Sequence, residues 1–287
     1  MHNHVMTQIA LIHPEGLDPA LLTDLNQHYP IHSQESRNRV TVITTTRSSI
    51  SSLELQELAN RYRCDAGILP EHFSANKIKV LAMDMDSTLI NIECIDEIAD
   101  AVGKKSEVSA ITEAAMRGEI KDFSESLRRR VALLKGVPEE ALHEVYSHRL
   151  QANPGARALI ERVHQLGIHT LLVSGGFTFF TSRLQKELNL CETHANQLEI
   201  QDGVLTGEVV GPIVDGAAKA HFVQARCQAL GSDKTAAITM GDGSNDLMMM
   251  AGSGLSIAYR AKPVVREKAD LALNQYHLDA WLDLLER

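Results

Sequence analysis

Basic residues are in deficit. The 287 residues carry 28 Lys and Arg against 37 Asp and Glu, a formal net charge of −9. Broad phosphate neutralisation needs many Lys and Arg, and adhesion to an anionic membrane needs a polybasic patch. No nucleic acid and no membrane is therefore expected as a partner. No run of ~18 apolar residues occurs, so no membrane span is expected. No Lys or Arg precedes Arg37, so the basic start of a secretory signal is missing. The four cysteines, Cys64, Cys94, Cys191 and Cys227, form no Cys-x-x-Cys pair and have no His cluster at zinc-ligand spacing. They read as reduced thiols of a cytoplasmic protein. The 13 histidines are scattered, which suits surface or core positions better than a ligand set.

What is there is ordinary for a soluble globular chain: 44% hydrophobic and 23% charged residues. The length corresponds to roughly two domains at about 150 residues each, and such a chain buries a core without staples. Three patterns follow one another. Residues 1–74 read as a small α+β unit. Thr7–Ile12, Val40–Ile43 and Ala66–Leu69 are strand-like, and Leu17–His28 and Leu53–Tyr62 have helical spacing. Pro70–Asn76 reads as a linker. Residues 77–92 and 154–287 alternate short apolar runs with helical segments, which predicts an α/β fold with a mostly parallel sheet. Residues 93–153 contain no strand-like run and read as helices inserted after the first core strand, a candidate lid. Leu198–Thr206 reads as a hairpin turned at Asp202-Gly203.

Chemistry gathers where the apolar runs stop. Lys77–Met83 runs into Asp84-Met85-Asp86-Ser87-Thr88. Two carboxylates two residues apart share a face if the chain stays extended. Keeping both ionised requires a cation, and hard oxygen ligands suit magnesium. A solvated turn would leave the same trace. Ala236–Met240 runs into Gly241-Asp242-Gly243-Ser244-Asn245-Asp246, where glycines permit close backbone approach; a Gly-rich turn with an Asp helix cap is the plain alternative. Thr170–Val173 ends in Ser174-Gly175-Gly176, with a hydroxyl and backbone N–H groups suited to a phosphate. By itself that segment reads as a tight turn, and Lys219 by itself as a surface lysine. Along Phe123–Leu134, Phe123, Leu127, Val131 and Leu134 form an apolar stripe. Arg130 borders it, whereas Arg128 and Arg129 point elsewhere. An arginine beside an apolar stripe calls for a carboxylate partner.

The four sites in this order resemble the haloacid dehalogenase-like phosphohydrolases, from about Lys77 to the end of the chain. The segments Asp84–Ile90, Glu93 with Ile95–Ala99, Met116–Glu119, Phe123 with Ser126–Val131, Leu133–Gly136, Val173–Phe177 and Gly241–Asp246 are similar to the phosphoserine phosphatase family. Ser244 stands where that family often has Ala. The resemblance implies a Rossmann-like α/β core with a parallel sheet, a helical cap and a small N-terminal α+β domain. It implies Mg²⁺-dependent hydrolysis of O-phospho-L-serine through an aspartyl phosphate, the last step of serine biosynthesis. Asp84 would be the nucleophile and Asp86 the acid/base. Glu93 would take the substrate ammonium and Arg130 its carboxylate. Ser174, Gly175, Lys219 and Asn245 would contact substrate. Asp84, the Asp86 carbonyl and Asp242 would hold the metal, with Asp246 in support. His13-Pro14-Glu15-Gly16-Leu17 resembles the first loop of ACT-type amino-acid-binding domains; a docking or homodimerisation module fits residues 1–74 equally well. Two other functions are compatible with the pattern: a phosphotransferase passing the phosphoryl group to an alcohol such as homoserine, and a non-enzymatic amino-acid sensor. The intact set of acids argues against the sensor.

Overall fold

The computed structural model describes residues 6–116 and 119–286. Arg117 and Gly118, within the Met116–Glu119 segment, lie outside them.

The N-terminal unit runs β1 (Thr7–Ile12), α1 (Pro19–His28), β2 (Ile31–Arg37), β3 (Val40–Thr45), α2 (Ser52–Asn60) and β4 (Asp65–Leu69). Its antiparallel order is β2-β3-β1-β4, the ferredoxin-like βαββαβ arrangement. Strand alternation divides β1 between two cores. Ile9 and Leu11 pack with Leu21, Leu25 and Leu55, whereas Ala10 and Ile12 turn into the large central cluster. β2 was not visible in the sequence. As an outer strand with mostly exposed residues, it has no buried face to impose apolar alternation.

The core begins with β5 (Val80–Met83) and resumes after the insertion. It continues through α7 (Ala156–Gln165), β6 (His169–Phe177), α8 (Thr178–Leu188), β7 (Glu192–Gln201), β8 (Val204–Val210) and α9 (Gly216–Ala229). It closes with β9 (Ala237–Gly241), α10 (Leu247–Met250), β10 (Leu255–Tyr259), α11 (Pro263–Lys268) and β11 (Leu271–Leu273). Strands β11-β10-β9-β5-β6-β7 are parallel, and β8 closes the edge antiparallel to β7. β5 lies in the middle with every residue fully buried, as its unbroken apolar run requires. Its neighbours β6 and β9 follow it in opposite directions across the sheet. That reversal opens a crevice at the carboxyl ends of the strands. The β7–β8 turn carries positive φ at Asp202 (51°) and Gly203 (78°), the geometry of a type I′ hairpin.

The insertion is helical: α3 (Cys94–Ala101), α4 (Lys105–Met116), α5 (Phe123–Ala132) and α6 (Glu139–His148). Its two connections to the core lie side by side. Ile90 bridges Ala152, Asn91 N–H donates to the Gln151 carbonyl, and Asn153 Nδ2 donates to the carbonyls of Thr88 (2.7 Å) and Ile90 (3.0 Å).

The two sheets are continuous. β4 runs antiparallel to β11, with Gly67 opposite Leu271, giving one sheet of 11 strands among the described residues. A Cβ at Gly67 would lie 2.2 Å from the Asp270 carbonyl oxygen, so only glycine allows this approach. Ile68 N–H donates to that same carbonyl at 2.7 Å.

Candidate active site

Asp84 ends β5 in extended backbone (φ −72°, ψ 162°). Its carboxylate is buried and accepts from Lys219 Nζ at 2.6 Å. Lys219 comes from the first turn of α9, whose N-terminus is capped by the Asp215 side chain. Far from a surface lysine, it is fully buried. Its ammonium also reaches Asp246 Oδ1 at 2.7 Å. Asp246 Oδ2 accepts the N–H groups of Asp242 (3.2 Å) and Gly243 (3.1 Å). Gly241 must be glycine, because a Cβ there would come within 2.4 Å of the Asp246 carboxylate. Asp242 Oδ1 accepts from the Thr88 hydroxyl at 3.3 Å.

Oxygens of Asp84, Asp242 and Asp246 lie within 4.8 Å of one another. Three carboxylates then face one ammonium, a charge deficit that a divalent cation would fill. Asp246 has both oxygens engaged, so Asp84 and Asp242 are the freer donors. Burial, then Asp246, pushes the Asp84 carboxyl well above its ordinary range. Burial, with Asp246 and Glu93, lifts Asp242 to about 7. Burial alone would lower Lys219, but Asp246 and Asp84 outweigh it and hold the ammonium charged.

Asp86 lies beside this cluster. Burial and then Glu93 raise its carboxyl to about 7, a value suited to proton exchange near neutrality. Its Oδ1 accepts Cys94 N–H at 3.0 Å, at the first turn of α3. Gly176 makes room for it: a Cβ there would lie 2.7 Å from Asp86 Oδ2 and 3.0 Å from Ser174 Oγ. β6 runs on through Ser174-Gly175-Gly176, so this segment is strand rather than the expected tight turn. Ser174 is buried, and its Oγ accepts Gly176 N–H at 2.8 Å. Asn196 on β7 donates Nδ2 to the Gly175 carbonyl at 2.8 Å.

The insertion covers the site. Phe123, at the start of α5, stands over Gly175, where a Cβ would meet its ring at 2.8 Å. Glu93 lies at the mouth and accepts from the Ser87 hydroxyl at 2.6 Å. Burial raises its carboxyl, and the Ser87 hydrogen bond opposes this. Arg130 is half-buried, while Arg128 and Arg129 are exposed, as the helical stripe predicts. Arg130 Nε donates to the Ser126 carbonyl at 3.3 Å, and its terminal nitrogens make no hydrogen bond among the described residues. Burial lowers its pKa, opposed by the charges of Asp96, Glu93 and Asp86. Asn245 is half-buried, with its amide oxygen 2.4 Å from where a Gly243 Cβ would stand. The expected site residues on both sides of the insertion thus converge on one crevice. Ser87, Thr88, Asp96 and Asn196 were not singled out in the sequence. They act through a turn, a neighbouring strand or a facing helix, none of which leaves a spacing to read.

A family model described as haloacid dehalogenase-like hydrolase matches residues 81–251. A phosphoserine phosphatase of Polaromonas sp. is 56% identical over 212 residues, covering 72% of this chain and 90% of its own. A HAD family hydrolase from Salmonella enterica serovar Typhi superposes with a TM-score of 0.85 at 32% identity, covering 98% of each chain. An unliganded probable phosphoserine phosphatase from Vibrio cholerae gives 0.79 at 35% identity, over 97% of this chain and 86% of that one.

Proposed function

The chain belongs to the haloacid dehalogenase-like hydrolases and, within them, to the phosphoserine phosphatase family, and from that premise we propose that it hydrolyses O-phospho-L-serine to L-serine and phosphate as the last step of serine biosynthesis. One observation carries the choice of substrate. Above the Asp84 cluster the insertion offers two side chains of opposite charge, Glu93 and Arg130, and each favours the charged form of the other. That pair matches the ammonium and carboxylate that phosphoserine carries beside its phosphate.

In this reading Asp84 attacks phosphorus in line, the bond to the serine oxygen breaks, and Asp86 delivers its proton to that oxygen. Asp86 then takes a proton from water, which attacks the aspartyl phosphate, releases phosphate and restores Asp84. Lys219 already stands against Asp84, so it meets the phosphoryl oxygens where the nucleophile does. Ser174, Gly175 and Asn245 complete the cradle. Asp84, the Asp86 carbonyl and Asp242 would hold Mg²⁺, supported by Asp246; the ion would supply positive charge to the acids and the phosphoryl group.

The proposed division assigns catalysis to residues 77–92 and 154–287, recognition to 93–153, and assembly or docking to 1–74. Among the described residues no helix is long and apolar enough to cross a membrane. The four cysteines are free thiols, which accords with a cytoplasmic location.

The test is phosphate release from a panel of phosphomonoesters, with and without Mg²⁺. Phosphoserine should be preferred, chelation should remove activity and Mg²⁺ restore it. Asp84→Asn should abolish release while the protein stays folded. Preference for a phosphomonoester lacking the amino-acid end, or transfer of phosphate to an added alcohol in place of water, would overturn the assignment.

A further inference from the structure

We propose that Ser87 is a positioning residue for substrate recognition: its hydroxyl holds the Glu93 carboxylate in the orientation that receives the substrate ammonium. The inference rests on the phosphoserine reading above. It starts from the backbone. Ser87 has φ 56° and ψ 5°, the left-handed region that glycine and asparagine occupy most easily. A residue with a Cβ is strained there, and the strain persists only where surrounding structure imposes it. The loop is indeed pinned at both ends. Ser87 N–H donates to the Ile92 carbonyl at 3.1 Å, and Cys94 N–H donates to Asp86 Oδ1 at 3.0 Å. Ser87 and Glu93 are therefore presented to each other across a closed loop.

The side chains then meet. Ser87 Oγ donates to Glu93 Oε1 at 2.6 Å. Glu93 occupies the N-cap position of α3, yet its side chain makes no capping hydrogen bond to that helix. It turns to Ser87 instead. Among the described residues this is the only hydrogen bond of the Glu93 carboxylate, so Oε1 is anchored and Oε2 is left for a ligand. An unanchored glutamate at an open mouth would lose rotamer freedom each time it bound an ammonium. The serine hydroxyl imposes that order beforehand.

The experiment uses the full-length, Mg²⁺-loaded enzyme and two substrates, phosphoserine and 3-phosphooxypropanoate. The second keeps the phosphate and carboxylate and lacks only the ammonium. Ser87→Ala and Ser87→Gly both remove the hydroxyl, and the glycine variant also relieves the left-handed backbone. Both variants should raise KM for phosphoserine about 5- to 10-fold, the scale of ordering one flexible side chain on binding. Their kcat should stay within about twofold, and KM for the amine-free ester should not move. Equal KM rises with both esters, a matching fall in kcat with both, or a Ser87→Gly enzyme that behaves as wild type would overturn the proposal. A wild-type enzyme that takes both esters equally well would overturn the phosphoserine reading itself, and this inference with it.

Discussion

Arg130 is a cation half-buried beside the apolar face of α5; its Nε donates to the Ser126 carbonyl, and its two terminal nitrogens make no hydrogen bond among the described residues. Lysine at this position keeps the charge but loses the planar, two-pronged contact to a carboxylate. Arg130→Lys should therefore weaken phosphoserine turnover by roughly 10- to 150-fold, the range of one charge-assisted contact of about 1.5–3 kcal/mol. A small phosphomonoester without a carboxylate should lose much less. Arg129→Lys should be nearly silent with both, since Arg129 is exposed and paired with Glu125 one turn away. Steady-state kinetics on the two variants decide it; equal losses on both substrates would mean that Arg130 holds the insertion in place instead of reading the substrate. Arg130 could be picked out of Arg128-Arg129-Arg130 because helical periodicity assigns each residue to a face. Lys219 could not be picked out by its own surroundings. Its burial depends on Asp84 and Asp246, 135 and 27 residues away, and only their joint pattern gave it a role. Ser87 left no trace at all, since its φ and its partner are set by loop closure.

Elements were legible where burial imposes a rule. β5 and β9 are covered on both faces and read as apolar runs. β2 and β11 did not read, the first being polar and exposed and the second only three residues long. What ties elements together was less legible still. Glu192, at the start of β7, accepts from Arg226 Nε on α9 at 2.6 Å, and lies 2.6 Å from His194 Nε2 and 3.2 Å from His169 Nε2 at the start of β6. Partial burial would raise its carboxyl, but Arg226 and the two histidines hold it down at about 2. The sign follows. A carboxyl lowered on folding stabilises the protein above its unfolded value near 4.5, and that stability is lost as pH falls toward 2. Glu192→Gln should cost about 1–2 kcal/mol at pH 7, after allowance for solvent screening of a group with a side chain 20% exposed. The difference from wild type should shrink as pH is lowered through 4 toward 3. Urea unfolding of both proteins across that range measures it; a difference independent of pH would mean that shape, not charge, is what Glu192 contributes.

At the scale of the whole molecule, the first 74 residues are joined to the core by more than a linker. Ala10, Ile12, Val40 and Leu69 belong to the same apolar cluster as β5, β10 and β11. Buried Asp65 accepts the N–H groups of Asn274, Gln275 and Tyr276, and Arg39 bonds Asp279 at 2.9 Å and Asp283 at 3.1 Å. A chain beginning near Ser74 would leave β11 as a bare edge, which invites aggregation. The chemistry nevertheless lies elsewhere, since every proposed catalytic and substrate-binding group follows Lys77 and none is on β4 or β11. Gly67 separates the two effects. A Cβ there meets only backbone, the Asp270 carbonyl oxygen at 2.2 Å and Leu271 Cα at 2.5 Å, so no side chain can swing aside and the two strands must part. Gly67→Ala should destabilise the protein by about 2–3 kcal/mol, lowering the melting temperature by roughly 4–10 °C. Turnover per folded molecule at 25 °C should be unchanged. An unshifted melting temperature would mean that the junction of β4 with β11 contributes nothing to stability in solution. A fall in kcat with the fold intact would mean that the N-terminal unit helps to shape the site, and that its attachment serves catalysis as well as stability.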